Sequence, residues 1–297
     1  MTTTPSQKLF CFGLGYSARV LIEHLQETAA NQWAFAGTHT RPEPQPAKKR
    51  DGDVSIATFS GDGPSAEVRT HLRDATHVLI SIPPDLEGDP ALRHHGIDLA
   101  QLPSLQWIGY LSTIGVYGDA AGGWVDETTP ARPSSERALR RALAETQWRS
   151  FGTTHGKRVQ VFRLPGIYGP GRSVIDSLRD GTAKRVIKPG QVFNRIHVVD
   201  IARVLAAAMQ APAVYSIYNV VDDEPAAPQD VITYAAELLG IRAPAEVAFD
   251  AARMSPMAQS FYSENKRVKN DRIKQALGVT LQYPTYREGL LAIVRDT

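Results

Sequence analysis

This sequence predicts a doubly wound α/β fold, a parallel sheet wrapped by helices with a smaller C-terminal cap. Three observations carry that expectation. Short apolar runs at residues 8–12, 33–38, 54–59, 77–82, 106–111 and 159–164 alternate with stretches of helical spacing, the rhythm of parallel strands joined by right-handed crossovers. After about residue 165 that rhythm loosens into loops rich in Pro and Gly. At the start, the first strand leads straight into a glycine turn that opens a helix, Phe10-Cys11-Phe12-Gly13-Leu14-Gly15-Tyr16-Ser17-Ala18.

That turn has the layout of a Rossmann dinucleotide-binding unit. Gly13 permits the tight turn, Gly15 lets backbone approach a pyrophosphate, and Ala18 is small enough for the helix to pack on the strand. The amides of Tyr16, Ser17 and Ala18 then point at the anion, while Val20, Leu21, Ile22 and Leu25 supply the apolar stripe of the helix. The second strand ends in Gly37-Thr38-His39-Thr40-Arg41, a stretch without the carboxylate that usually bonds the adenosine ribose. Thr40 and Arg41 are therefore assigned to the cofactor. A charge-assisted bond from Arg41 to a 2′-phosphate is worth roughly 1.5–3 kcal/mol, about ten- to a hundredfold in favour of NADP over NAD. The alternative is a solvated loop arginine. A Pro-rich loop follows, with Lys48-Lys49-Arg50 as a solvated basic patch.

Helical spacing at residues 66–72 precedes the strand at 77–82, whose Ser81 joins the cofactor candidates. Another helix at 92–99 and the strand at 106–111 follow. Pro133-Ser134-Ser135 starts the helix at 136–151. The strand at 159–164 closes a dinucleotide-binding domain over residues 1–165. Residues 166–297 read as the cap, with helices at 201–209 and 229–239 and a strand near 216–221 that returns to the sheet.

Composition narrows the partners. With 42% hydrophobic and 22% charged residues the chain reads as an ordinary globular protein, and a net charge of +2 is too small for a nucleic-acid footprint. One cysteine, Cys11, lies inside the first strand, which leaves no disulfide framework and no thiolate metal site. Residues 1–7 lack a basic leader with an apolar stretch, and no segment is long and apolar enough to span a membrane. A cytoplasmic protein, without metal or membrane partner, is expected.

Further motifs name a family. Leu111-Ser112-Thr113-Ile114-Gly115-Val116-Tyr117-Gly118-Asp119 follows the fifth strand, and Arg163-Leu164-Pro165-Gly166-Ile167-Tyr168-Gly169-Pro170-Gly171-Arg172 follows the sixth. With Arg195-Ile196-His197-Val198-Val199-Asp200, Tyr218-Asn219-Val220-Val221 and a late Glu288-Gly289-Leu290, these resemble the extended short-chain dehydrogenase/reductases, the NAD(P)-dependent epimerase/dehydratase family. The resemblance implies that Thr113 hydrogen-bonds the substrate oxygen and that Pro165 and Gly166 lie near the nicotinamide. It also makes His197 a residue that holds a loop beside Asp200, with a catalytic base as the alternative. The resemblance further implies a monomer or a homodimer, since relatives often pair through the helix that here carries Arg137, Arg140 and Arg141.

The chain departs from the family where proton chemistry is expected. Counting from Pro133 and back from Glu145, the family's Tyr position is Arg137 and its Lys position is Arg141. Arginine stays protonated in proteins, so neither can act as acid or base. Arg141 can still donate to the nicotinamide ribose, as the family's Lys does. Tyr117 is the leading candidate to supply the proton, against a role as a wall residue, with Tyr168 behind it. Glu136 with Arg140, and Arg141 with Glu145, have the spacing of stabilising pairs on an exposed helix face, whereas Arg137 with Arg141 is a like-charge pair. Arg137 therefore either points to water or binds an anion, and the anion is preferred.

The position four before His197, where nucleotide-sugar enzymes carry an arginine, is Phe193, which argues against a nucleotide sugar. Arg195 is the nearest cation, and Arg172 adds positive charge, so Arg137, Tyr168, Arg172 and Arg195 are the substrate candidates. The expectation is an NADP(H)-dependent oxidoreductase or epimerase/dehydratase-like enzyme that acts on a small molecule and lacks the usual Tyr/Lys pair. The alternative is an NADP-binding sensor or interaction protein without turnover.

Overall fold

A computed structural model describes residues 6–29, 32–41, 54–212 and 214–296; Lys48-Lys49-Arg50 and its loop lie outside the described residues. The central sheet has seven strands: β1 Gln7–Phe12, β2 Trp33–His39, β3 Val54–Thr58, β4 His77–Ile80, β5 Trp107–Thr113, β6 Val159–Leu164 and β7 Ile217–Asn219. Their order is β7-β6-β5-β4-β1-β2-β3. β1 thus pairs in parallel with both β2 and β4, Leu9 facing Phe35 on one side and His77 on the other. This is the point where a doubly wound sheet reverses direction and where such folds bind ligands.

The alternation of side chains explains the packing. Phe10, Phe12, Val78, Ile80, Ile108 and Tyr110 emerge on one face and form a continuous buried cluster. Three helices cover it: α2 Ala66–Leu72, α3 Pro90–Ala100 and α4 Glu136–His155. Val68, Leu72, Leu99, Trp148 and Phe151 are their contributions. Burial of each large apolar side chain contributes roughly 1.5–3 kcal/mol, and the Val, Ile, Phe, Tyr and Trp residues of these strands also favour the pleated, half-buried surface. The opposite face takes Leu21, Ile22 and Leu25 of α1, Tyr16–Thr28, all 3% exposed or less. Local signals set the helix starts: Ser65 caps α2 through the Val68 amide, and Asp89 caps α3 with Pro90 in its first turn.

The chain forms two compact units. Among the described residues, the first takes those up to Ser112, Leu139–Phe162 and Ala202–Tyr218; the second takes Thr113–Ala138, Arg163–Ile201 and the residues from Asn219 onward. No single boundary at residue 165 separates them, because the chain leaves the first unit at the carboxyl ends of three successive strands, β5, β6 and β7. The second unit has its own core, in which Ile175 and Leu178 meet Val231, Ala235, Tyr286, Leu290 and Ile293. Its helices include α5 Val174–Arg179, α6 Val198–Gln210, α7 Pro228–Leu238, α8 Pro256–Tyr262, α9 Asp271–Leu277 and α10 Tyr286–Arg295, α6 running on from Ile201 into the first unit.

Three two-stranded parallel sheets were not foreseen from sequence. Gly166–Tyr168 pairs with Arg195–His197, Arg185–Ile187 with Glu246–Ala248, and Trp124–Val125 with Arg267–Val268. The fourth strand ends at Ile80, two residues earlier than expected, just before Pro83-Pro84, and the seventh is only three residues long. No helix among the described residues is long and apolar enough to cross a membrane.

Candidate functional site

In the first unit the glycine turn is built as a cradle. Gly13 has φ +91°, and a Cβ on it would lie 2.8 Å from Ile82 Cγ2, so both the turn and the close approach require glycine. Its N–H donates to Thr38 Oγ1 at 2.8 Å, and the Leu14 N–H donates to the Thr38 carbonyl at 3.0 Å. Thr38, only 2% exposed, thereby locks the turn to the end of β2. Leu14 in turn covers Gly37, where a Cβ would fall 2.6 Å from Leu14 Cδ2.

Gly15 is different. Its backbone is extended, and a Cβ there would meet nothing nearer than Ser81 Oγ at 3.9 Å. The turn therefore has room above Gly15, with Ser81 beside it, as a dinucleotide's phosphates require. Gly15 is also the N-cap of α1, which has no side-chain cap and no acidic residue in its first turn. An uncapped helix start of this kind favours an anion. Residues Gly13, Gly15, Tyr16, Ser17, Ala18 and Ser81 come together here, so the cradle fits NAD(P). Thr40 and Arg41 follow β2 and are exposed, and Arg41 makes no hydrogen bond or ion pair among the described residues.

Two further features of this unit were missed or misread from sequence. Arg19 donates from Nε to the Leu14 carbonyl at 2.9 Å; a cation in the first turn, against the helix dipole, is the signal that marks it. Arg141 does not pair with Glu145 on an exposed face. Its Nη1 instead donates to the Leu111 carbonyl at 2.7 Å and to Tyr110 Oη at 3.2 Å. Glu145 is buried, 4% exposed, and accepts from Ser112 Oγ at 2.6 Å. The periodicity of α4 was right, but the face that carries Glu145 packs inward.

In the second unit, Thr113 ends β5 and caps a single turn of 3-10 helix, Ile114–Tyr117, its Oγ1 accepting from the Gly115 N–H at 3.1 Å. The turn closes on Gly118, φ +69°, where a Cβ would lie 2.0 Å from the Arg132 carbonyl oxygen. Tyr117 is 3% exposed and donates its hydroxyl to Asn219 Oδ1 at 2.8 Å. The Arg163 guanidinium lies 4.7 Å from the centre of its ring. Asn219 is fixed in turn, its N–H donating to Glu127 Oε1 at 2.8 Å and its Nδ2 to the Lys269 carbonyl at 3.2 Å. Burial pushes the Tyr117 phenol above its ordinary range, with the Arg163 charge opposing, and pushes the Glu127 carboxyl upward.

The other substrate candidates separate into two groups. Gly166, Tyr168 and Arg195 meet in one small sheet, Gly166 facing Arg195 and Tyr168 facing His197. Tyr168 is buried with its ring edge on His197 at 5.1 Å, and burial raises its phenol. Arg195 donates from Nη1 to the carbonyls of Phe193 and Ala226, at 2.9 and 3.2 Å. Burial lowers Arg195 and raises Asp222, and the charge of each opposes the shift of the other. His197 is 2% exposed, accepts from the Val199 N–H at its Nδ1, and is held down at about 4 by burial. It is therefore neutral at pH 7. Arg137 and Arg172 are exposed, and Arg137 makes no hydrogen bond or ion pair among the described residues. Pro165 is half-buried before the exposed Gly166.

Comparison with known proteins places this arrangement. The model of the NAD dependent epimerase/dehydratase family matches residues 100–220, the stretch from before β5 through β7. A functionally unknown conserved protein from Silicibacter pomeroyi DSS is 49% identical over 98% of this chain and 99% of that one, with a TM-score of 0.85. Residues 100–220 carry a domain of the NAD-dependent epimerase/dehydratase family. Other solved structures share the fold of the chain at low identity. A dTDP-glucose 4,6-dehydratase from Bacillus anthracis, in complex with NAD, has 16% identity over 97% of this chain and 96% of that one, with a TM-score of 0.78. A UDP-glucuronic acid 4-epimerase from Bacillus cereus, also in complex with NAD, has 16% identity over 98% and 99%, with a TM-score of 0.73. No curated protein matches the chain.

Proposed function

We propose that this chain binds NADP(H) and acts as an atypical short-chain oxidoreductase or epimerase-type enzyme on a small anionic molecule. The observation that carries the cofactor choice is the end of β2. Thr38, with no charge, takes the place beside the glycine turn, and the exposed Arg41 follows where a carboxylate would select NAD. When bound, the nicotinamide supplies hydride exchange. Thr113 is the residue proposed to hold the substrate oxygen: its Oγ accepts from Gly115, and its own hydrogen is directed to the substrate. Arg137, exposed on the first turn of α4, is proposed to take a carboxylate or phosphate.

Proton transfer falls to a group other than those at the family's usual positions, since Arg137 and Arg141 cannot release a proton. Tyr117 acts as a positioning residue, because its hydroxyl is engaged by Asn219 and its phenol is raised by burial. A second reading, an NADP-binding sensor without turnover, is favoured by Arg141, whose bonds to β5 make it part of the framework.

The test is a screen of carbonyl, keto-acid and sugar-phosphate compounds for NADPH oxidation, with wild type, Thr113→Val and Arg137→Gln. The enzyme reading predicts turnover that falls about tenfold to a hundredfold in Thr113→Val, the loss expected for one buried hydrogen bond, while NADPH binding persists. Arg137→Gln should raise KM for acidic compounds alone. Tight NADPH binding with no turnover on any compound establishes the sensor, and full activity in Thr113→Val removes Thr113 from the mechanism.

A further inference from the structure

We infer that Glu264 and Lys266 are positioning residues that set the spacing between Thr113 and Arg137, and with it the pose of the substrate; this rests on the enzyme reading above. All four residues belong to the second unit. Lys266 is only 5% exposed, and its Nζ lies 2.5 Å from Glu264 Oε2. From this ion pair two arms extend.

One arm reaches Thr113. The Lys266 ammonium donates to the Gly118 carbonyl at 2.5 Å, the Gly118 N–H donates to the Gly115 carbonyl at 3.1 Å, and the Gly115 N–H donates to Thr113 Oγ1 at 3.1 Å. An unbroken run of hydrogen bonds thus leads from the ammonium to the hydroxyl assigned to the substrate oxygen. The other arm reaches the start of α4. Ser134 donates its hydroxyl to Glu264 Oε1, the carboxylate oxygen that Lys266 leaves open. Next along the chain, Ser135 Oγ accepts from the Ala138 N–H at 3.3 Å, and Arg137 stands between the two in the first turn of the helix. The pair therefore ties together the two segments that carry the substrate's oxygen and its anionic group.

Stability alone does not call for such a pair. Desolvation of two buried charges offsets most of their attraction, and apolar side chains of similar volume would serve as well or better. Direction is what the pair adds, since charge-assisted hydrogen bonds are short and oriented. Its mounting is fixed too. Between the two residues, the Asn265 carbonyl accepts from the Ala120 and Gly122 N–H groups at 3.1 and 2.9 Å, and Asn265 Nδ2 donates to the Gly190 carbonyl at 2.9 Å. Oriented groups on fixed backbone are what a reacting pose requires.

NADPH oxidation by the full chain tests this, with the active keto acids and sugar phosphates of the screen above, each beside its methyl ester or free sugar. Lys266→Met should lower kcat about tenfold to a hundredfold on every compound, the loss that a displacement of about 1 Å brings, while NADPH affinity stays within about threefold of wild type. If that variant does not fold, Lys266→Met/Glu264→Gln removes both charges and leaves neither buried alone, with the same expectation. Ser134→Ala, at an exposed position, should raise KM about threefold to tenfold for the acid or phosphate and less than about twofold for its neutral counterpart. Unchanged kcat in either Lys266 variant overturns the inference. So does a parallel loss of NADPH binding and kcat, since the pair would then support the fold as a whole. Equal KM shifts on charged and neutral compounds in Ser134→Ala detach Arg137 from the pair and overturn the spacing. A wild type that turns over no keto acid or sugar phosphate overturns the enzyme reading itself, before Lys266 enters.

Discussion

Replacing Gly15 by alanine separates binding from folding. The Gly15 backbone, φ −83° and ψ −172°, is open to any residue, and a Cβ there lies 3.9 Å from Ser81 Oγ, an ordinary contact. Alanine is a poorer N-cap than glycine, by about 0.5–1 kcal/mol, but restricts the unfolded chain by about 0.4–1 kcal/mol, so the two effects nearly cancel. The melting temperature should stay within about 3 °C of wild type, at roughly 2–4 °C per kcal/mol. The added methyl occupies the space through which a pyrophosphate approaches, and NADPH affinity should drop at least about tenfold, or 1.4 kcal/mol. Gly13→Ala behaves differently. With φ +91° and Ile82 Cγ2 at 2.8 Å from the new Cβ, it should cost about 1–3 kcal/mol of stability. Thermal melting and a fluorescence titration with NADPH decide the matter. Gly15→Ala protein that binds NADPH as wild type does would refute the assignment of the turn as a phosphate cradle.

Other perturbations test the supports of the two clusters. Thr38→Val keeps the shape but removes the acceptor of the Gly13 N–H; a loss of about 1–3 kcal/mol is expected in denaturant unfolding, and Thr38→Ser should restore most of it. Ser112→Ala leaves the buried Glu145 carboxylate one donor short and should lower the melting temperature, with no change in cofactor preference. His77 and His197 are both buried and held at about 4. Their folded values lie below the unfolded value of about 6.5, so the stability they contribute is complete above that pH and declines at about 1.4 kcal/mol per pH unit per histidine as pH falls towards 4. Melting curves between pH 7.5 and 4.5 should slope accordingly, and less steeply in His197→Phe; an identical slope in that variant contradicts the buried neutral imidazole.

What the sequence made legible was local. The turn from Gly13 to Ala18 depends on residues within one strand and one helix, and the six strands at residues 8–164 announce themselves as apolar runs. The exceptions required contacts that no window of sequence contains. Thr38 read only as a missing carboxylate, because its bond to the Gly13 N–H spans 25 residues. Tyr117 gave no sign of its partner, because Asn219, to which its hydroxyl donates, is 102 residues away. The small sheet that holds Tyr168 and His197 has three residues per strand, too few to show a period of two. Lys266 carries no local sign of burial, yet it is 5% exposed and donates to the Gly118 carbonyl and to Glu264. Glu145 followed helical spacing correctly, but spacing does not say which of two faces packs inward.

Service of NADP(H) by the glycine turn is tested most directly by paired calorimetric titrations of the purified chain with NADPH and NADH. Arg41 alone predicts NADPH binding at least about tenfold tighter than NADH. Equal affinities, or a preference for NADH, would contradict it.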